Sequence, residues 1–300
     1  MPMFELLRRW FFSRPSAPAH RSVQCGNVGG LYRMAYTEWG DAKNPEVVVC
    51  VHGLTRNGRD FDSLAQALAG SYRVICPDVV GRGRSDWLKD PAGYGFPQYV
   101  ADMLVLLARL DVDKVRWVGT SMGGLIGMYL ASLDRSPICQ LVLNDVGPEI
   151  TAESLRRIGE YVGRAPSFAS VEEAQAYISQ VNAPFGALSD AQWRHLTEHS
   201  VVQRDDGRWH MRYDPGIGQP FRQTMVFGDI NLWPVYEQIR CPVLLTRGAD
   251  SDLLSPATAE AMTQRGPAAR RVDFAGVGHA PTFMDAAQID AVRTFHDAGR

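Results

Sequence analysis

Short apolar runs rich in β-branched residues recur along the chain from about residue 30, separated by longer stretches with helical spacing. The runs cover residues 31–36, 47–51, 73–76, 115–118, 141–143, 243–246 and 271–274, and each reads as a strand. Helical patterns cover 61–69, 98–110, 122–132, 256–264 and 287–296. Strand and helix in alternation predict an α/β domain, a mostly parallel sheet with helices on both faces. The runs are apolar throughout rather than at every second residue, as expected of strands covered on both sides.

One long stretch breaks this rhythm. Between about residues 148 and 239 no strand-like run stands out and helix formers dominate. Aromatics are frequent there, among them Tyr161, Tyr177, Phe185, Trp193, Phe221 and Trp233. The pattern predicts a mainly helical insertion between two strands. At the carboxyl ends of parallel strands it would cover the place where such sheets bind ligands. Most of its aromatics are expected to pack a small core of its own, while large ones such as Trp193 or Trp233 are expected to set substrate length. The expected division is an N-terminal extension over 1–24, a core over 25–148 and 237–300, and a helical cap over 149–236.

Composition narrows the function. An apolar fraction of 45% and a charged fraction of 21% fit a globular chain with a sizeable core. A formal net charge of -2 gives no electrostatic reason to bind nucleic acid. The five cysteines form no C-x-x-C pair and are odd in number, so they read as buried, reduced thiols in a cytoplasmic setting. Near the start, Phe4, Leu6, Leu7, Trp10, Phe11 and Phe12 are interrupted by Glu5, Arg8 and Arg9. That segment falls short of the roughly 20 apolar residues of a membrane span and lacks the unbroken core of a signal peptide. A short amphipathic helix, packed on the body or on a second copy, is expected instead of stable membrane insertion.

The strongest chemical signal is Gly119-Thr120-Ser121-Met122-Gly123-Gly124, which lies between a strand run and a helical run. A nucleophile on a tight strand-to-helix turn needs that context, with glycines where backbone segments approach closely. The following helix N-terminus then lies under a developing oxyanion. A serine hydroxyl also needs a base. His279, in Gly278-His279-Ala280-Pro281, lies after the last strand run and before the last helix. His195, His199 and His210 fall in the insertion and read as solvated or structural.

With Ser121 and His279 in view, the chain resembles a cap-bearing α/β-hydrolase over roughly residues 25 to 297. The resemblance rests on His52-Gly53-Leu54, on Pro77-Asp78-Val79-Val80-Gly81-Arg82-Gly83-Arg84-Ser85, and on the 119–124 and 278–279 motifs. It implies that the N–H groups of Leu54 and Met122 form an oxyanion hole and that His52 is a turn residue. It also implies a carboxylate partner for His279, in one of two places. Asn144-Asp145-Val146-Gly147-Pro148 resembles members that carry the acid after the sixth strand, and Asp145 is favoured. In those members the slot after the seventh strand is Ser, here Ser251, expected as a further His279 contact. Asp252 and Asp250 flank that slot and are the alternatives.

The resemblance implies a carboxylesterase-like enzyme acting through an acyl-enzyme on a small-molecule ester or lactone, with no cofactor and no metal. A lactonase or a carbon–carbon bond hydrolase would use the same residues, and fold does not choose among them. A metal-free haloperoxidase activity would be a side reaction of the same serine. From another class, a ligand receptor on an inactivated hydrolase would not need the intact Ser121 and His279. Dehalogenases and epoxide hydrolases of this fold use Asp as nucleophile, and position 121 is Ser.

Overall fold

The computed structural model describes residues 17–224 and 228–299 of the 300-residue chain. The amphipathic helix expected in the first twelve residues lies outside them. A hairpin opens the sheet, β1 (Ala19–Asn27) pairing antiparallel with β2 (Gly30–Trp39). Then come β3 (Val47–Val51), α1 (Asp62–Leu68), β4 (Arg73–Pro77), α2 (Phe96–Leu110), β5 (Val115–Thr120), α3 (Met122–Ser132) and β6 (Ile138–Asn144). The insertion follows, with β7 (Glu149–Ile150), α4 (Ala152–Gly159), β8 (Ser167–Phe168), α5 (Val171–Val181) and α6 (Asp190–Ser200). It continues through β9 (Val201–Gln203), β10 (Trp209–Met211), α7 (Gly218–Thr224), β11 (Ile230–Asn231) and α8 (Trp233–Tyr236). The chain returns with β12 (Val243–Gly248), α9 (Pro256–Gln264), β13 (Arg270–Phe274) and α10 (Ala286–Asp297).

The main sheet runs β1-β2-β4-β3-β5-β6-β12-β13. It is antiparallel at β1/β2 and β2/β4 and parallel elsewhere. All five residues of β3 are buried, alternately in two apolar clusters, as a strand covered on both faces requires. Register places the site. Asn144 at the end of β6 pairs with Thr120 of β5 on one side and Thr246 of β12 on the other. The loops leaving these three strands therefore start side by side.

Two features depart from the sequence reading. The core sheet begins at Ala19, inside the segment read as an extension. In β1 only Val23 and Cys25 are buried, which is too little apolar signal to mark a strand. Among the described residues the insertion holds five strands as well as helices, in a β8-β10-β9 sheet and a β11-β7 pair. At two or three residues each, they are too short to show a period. Its main helices start where side chains cap free N–H groups: Ser170 accepts from Glu173 N–H, and Ser189 with Gln192 forms a capping box. Phe168, Ala174, Ile178 and Val201 form a small core of its own, with Trp193 and Trp209 packed on it.

Candidate active site

Ser121 stands between β5 and α3 at φ 51° and ψ -115°, a strained conformation for any residue with a side chain. The two glycines of the motif make the turn possible. A Cβ at Gly119 would lie 2.3 Å from Gly123 O, and one at Gly123 would lie 2.0 Å from Val51 O. The Ser121 Oγ lies 3.1 Å from His279 Nε2, and His279 Nδ1 lies 2.7 Å from Asp145 Oδ2.

Asp145 is fully buried, and three donors converge on it. The Gly248 N–H reaches Oδ1 at 2.9 Å, while the Ser251 hydroxyl at 2.6 Å and the His279 ring share Oδ2. A buried carboxylate without such partners is costly. An acceptor beside Nδ1 favours the tautomer with its hydrogen there, which turns the Nε2 lone pair toward Ser121. The flanking Asn144 ties the site to its frame. Its Nδ2 donates to Thr120 Oγ1 and Pro281 O, and its Oδ1 accepts from Thr246 Oγ1. Sequence reasoning passed over Asn144, although a polar residue ending an apolar strand was a signal.

The other acid candidates lie elsewhere. Asp252 is about half exposed and pairs with Arg157 Nη1 at 2.8 Å, and Asp250 is exposed. Ser251 was expected to touch His279. Its hydroxyl instead meets the Asp145 carboxylate, which also accepts from the imidazole.

Leu54 and Met122 line the cavity together with Ser121. Met122 is the first residue of α3, so its N–H has no acceptor within its own helix. Fully buried Arg82 holds the Leu54 turn. Its Nε donates to Leu54 O at 2.9 Å, its Nη1 to Val80 O and Tyr99 Oη, and its guanidinium sits 4.8 Å from the Tyr99 ring centroid. The 77–85 motif contains Arg82, but its sequence does not reveal that reach. His52 accepts from Val79 N–H at Nε2 and donates from Nδ1 to Gly53 O, and burial lowers its pKa to about 4. It is a neutral turn residue.

A cavity of about 380 Å³ opens at Ser121 and His279. From the insertion come Ile158, Tyr161, Tyr177, Phe185 and Phe221. Trp193 and Trp233, expected to select substrate, do not line it. Trp193 stacks on Phe185, and Trp233 donates to Glu149 under the Arg265 guanidinium. Among the described residues no Asp or Glu lines the cavity, whose lining includes Arg56 and Arg157.

Away from the cavity, Asp62, His195 and His199 bring one ligand atom each within 4.8 Å of one another, a set that could hold a metal ion. Arg59 already grips Asp62 through Nε and Nη2. Burial lowers the His199 pKa to about 4. Here α6 of the insertion rests on the 3-10 turn Gly58–Phe61 that leads into α1, and Asn57 Nδ2 donates to His199 O beside it.

The fold belongs to a known class: the chain is a member of the α/β-hydrolase fold family, whose model matches residues 46–286, and it is an esterase-like hydrolase. Among curated relatives, a 3-hydroxybutyrate-oligomer hydrolase of Cupriavidus necator is 52% identical over 281 residues, 91% of this chain and 96% of the relative. The esterase YbfF of Escherichia coli is 26% identical over 254 residues, 83% of this chain and 91% of that protein. A solved alpha/beta hydrolase from Novosphingobium aromaticivorans aligns with a TM-score of 0.83 at 34% identity, over 94% of this chain and 99% of that one. No helix among the described residues is long and apolar enough to cross a membrane.

Proposed function

We propose that this enzyme hydrolyses short oligoesters of 3-hydroxybutyrate, with Ser121 as nucleophile, His279 as general base and acid, and Asp145 as the carboxylate that orients it. The observation that carries the mechanism is the unbroken hydrogen-bonded line from Ser121 Oγ through both His279 nitrogens to Asp145, with Ser121 and His279 lining the cavity. The substrate is supported by the 52% identity to the Cupriavidus necator oligomer hydrolase over nearly its whole length.

In acylation, Ser121 Oγ bonds to the ester carbon as its proton passes to His279 Nε2. The carbonyl oxygen takes the negative charge and is met by the Leu54 and Met122 N–H groups. Collapse breaks the bond to the alcohol oxygen, which receives the proton from His279. Water then attacks the acyl-enzyme by the same route and releases the acid. Residues 149–236 act as the cap, supplying the apolar far wall that suits the methyl groups of such a chain. A reducing, cytoplasmic setting fits the five free thiols.

The test is hydrolysis of the linear 3-hydroxybutyrate dimer beside p-nitrophenyl butyrate, with products separated by chromatography. Two monomers per dimer are expected. Cleavage of p-nitrophenyl butyrate with an untouched dimer would overturn the substrate, and cleavage of neither would overturn the whole reading.

A further inference from the structure

Resting on that reading, we infer that Arg157 binds the free carboxylate of an acidic ester, on the leaving-alcohol side of the scissile bond. A wall that includes two arginines and, among the described residues, no Asp or Glu favours an anion in an otherwise mostly apolar cavity. The two arginines are not equally available. Arg56 is engaged by Asp60 through both Nε and Nη2, at 2.8 and 2.7 Å. Arg157 meets Asp252 through Nη1 alone, and its Nη2 is buried with no hydrogen-bond partner among the described residues.

A buried donor left unmatched is unfavourable, and guanidinium is shaped to hold a carboxylate through two parallel bonds. The competing Asp252 is about half exposed, where an ion pair is weak and readily rearranged. A swing of the guanidinium lets a substrate oxygen take Nη2 while Asp252 keeps Nη1. Arg157 lies on α4, so this contact would tie the insertion to the substrate.

The chemistry of the oligoester sets the direction. Its carboxylate ends the hydroxy acid whose oxygen leaves when the bond breaks, so the part retained on Ser121 does not carry it. Arg157 therefore acts on binding and acylation, and hydrolysis of the acyl-enzyme proceeds without it. The signature is a change in kcat/KM that a deacylation-limited kcat does not share.

The experiment compares the 3-hydroxybutyrate dimer with its terminal carboxamide, which has the same acyl group and the same ester but no charge. The ratio of their kcat/KM values is read in wild type, Arg157→Gln and Asp252→Asn. We expect wild type to prefer the acid, Arg157→Gln to lower the ratio at least tenfold, and Asp252→Asn to raise it by freeing Nη1. An unchanged ratio in Arg157→Gln, with a wild-type melting temperature, would overturn the inference. If the dimer is refused while p-nitrophenyl butyrate is cleaved, the oligomer reading fails by itself. The same ratio is then read on 3-butyryloxybutanoate and its carboxamide, with the same outcomes deciding on Arg157.

Discussion

Asp145 combines a positive φ of 53°, complete burial and three converging donors. Asparagine keeps its shape but no longer selects the His279 tautomer. Asp145→Asn is therefore expected to lower turnover of p-nitrophenyl butyrate by roughly 10⁴, the scale seen when such an aspartate becomes an amide. Asp252→Asn breaks a half-exposed ion pair and should lower it by no more than roughly tenfold. Steady-state rates of the two variants, side by side, check this, and a larger loss at Asp252 would reverse the assignment. Ser121 and His279 stood out as candidates because their signals are local: a turn that only glycines permit, and a histidine before the last helix. The choice among residues 145, 250 and 252 was not, because it depends on how β5, β6 and β12 align. Arg82 was missed for the same reason, since its partners lie as far off as Leu54 and Tyr99.

The parallel strands and their helices were readable from unbroken apolar runs and helical spacing, whereas β1 carried too few buried residues, and the strands of the insertion are too short, to be seen. The insertion's aromatics divide into two kinds that composition alone does not separate. Phe221 faces the cavity, and Trp233, 5% exposed, is part of the main apolar core. Trp233→Ala is expected to destabilise by about 3–5 kcal/mol, the range for large aromatics removed from a core. It should lower the melting temperature without changing the order of preference among esters. Phe221→Ala enlarges the cavity and should move the optimum of a p-nitrophenyl ester series toward longer acyl chains. Thermal unfolding and that series measure both, and an unchanged optimum in Phe221→Ala would mean that this wall does not select substrate.

For the molecule as a whole, buried titratable groups set its response to acid. Burial lowers His52 to about 4 and His296 to about 3, from an ordinary value of 6.5. Between those values the unfolded chain binds protons that the folded one refuses, so stability rises with pH. Their contribution is fully present above about 6.5 and is lost as pH falls through the folded values, at about 1.4 kcal/mol per pH unit for each group. Asp78 works the other way: burial raises it to about 6 from 3.8, so its contribution falls as pH rises through that window. With His199, also lowered to about 4, three histidines stand against two aspartates raised by burial, Asp78 and Asp102, and leave a net loss in acid. The melting temperature should drop between pH 6.5 and 4.5, and His296→Phe should flatten that slope by about one group's share; an unaltered slope would count against it. Above all stands the assignment of the nucleophile. Its most direct test is reaction with a fluorophosphonate, followed by intact mass and peptide mapping. One adduct is expected, on Ser121, with activity lost in proportion. Ser121→Ala should take no label and lose on the order of 10⁶ in turnover. Full inhibition with the adduct on another residue, or a tenth of the activity surviving in Ser121→Ala, would contradict it.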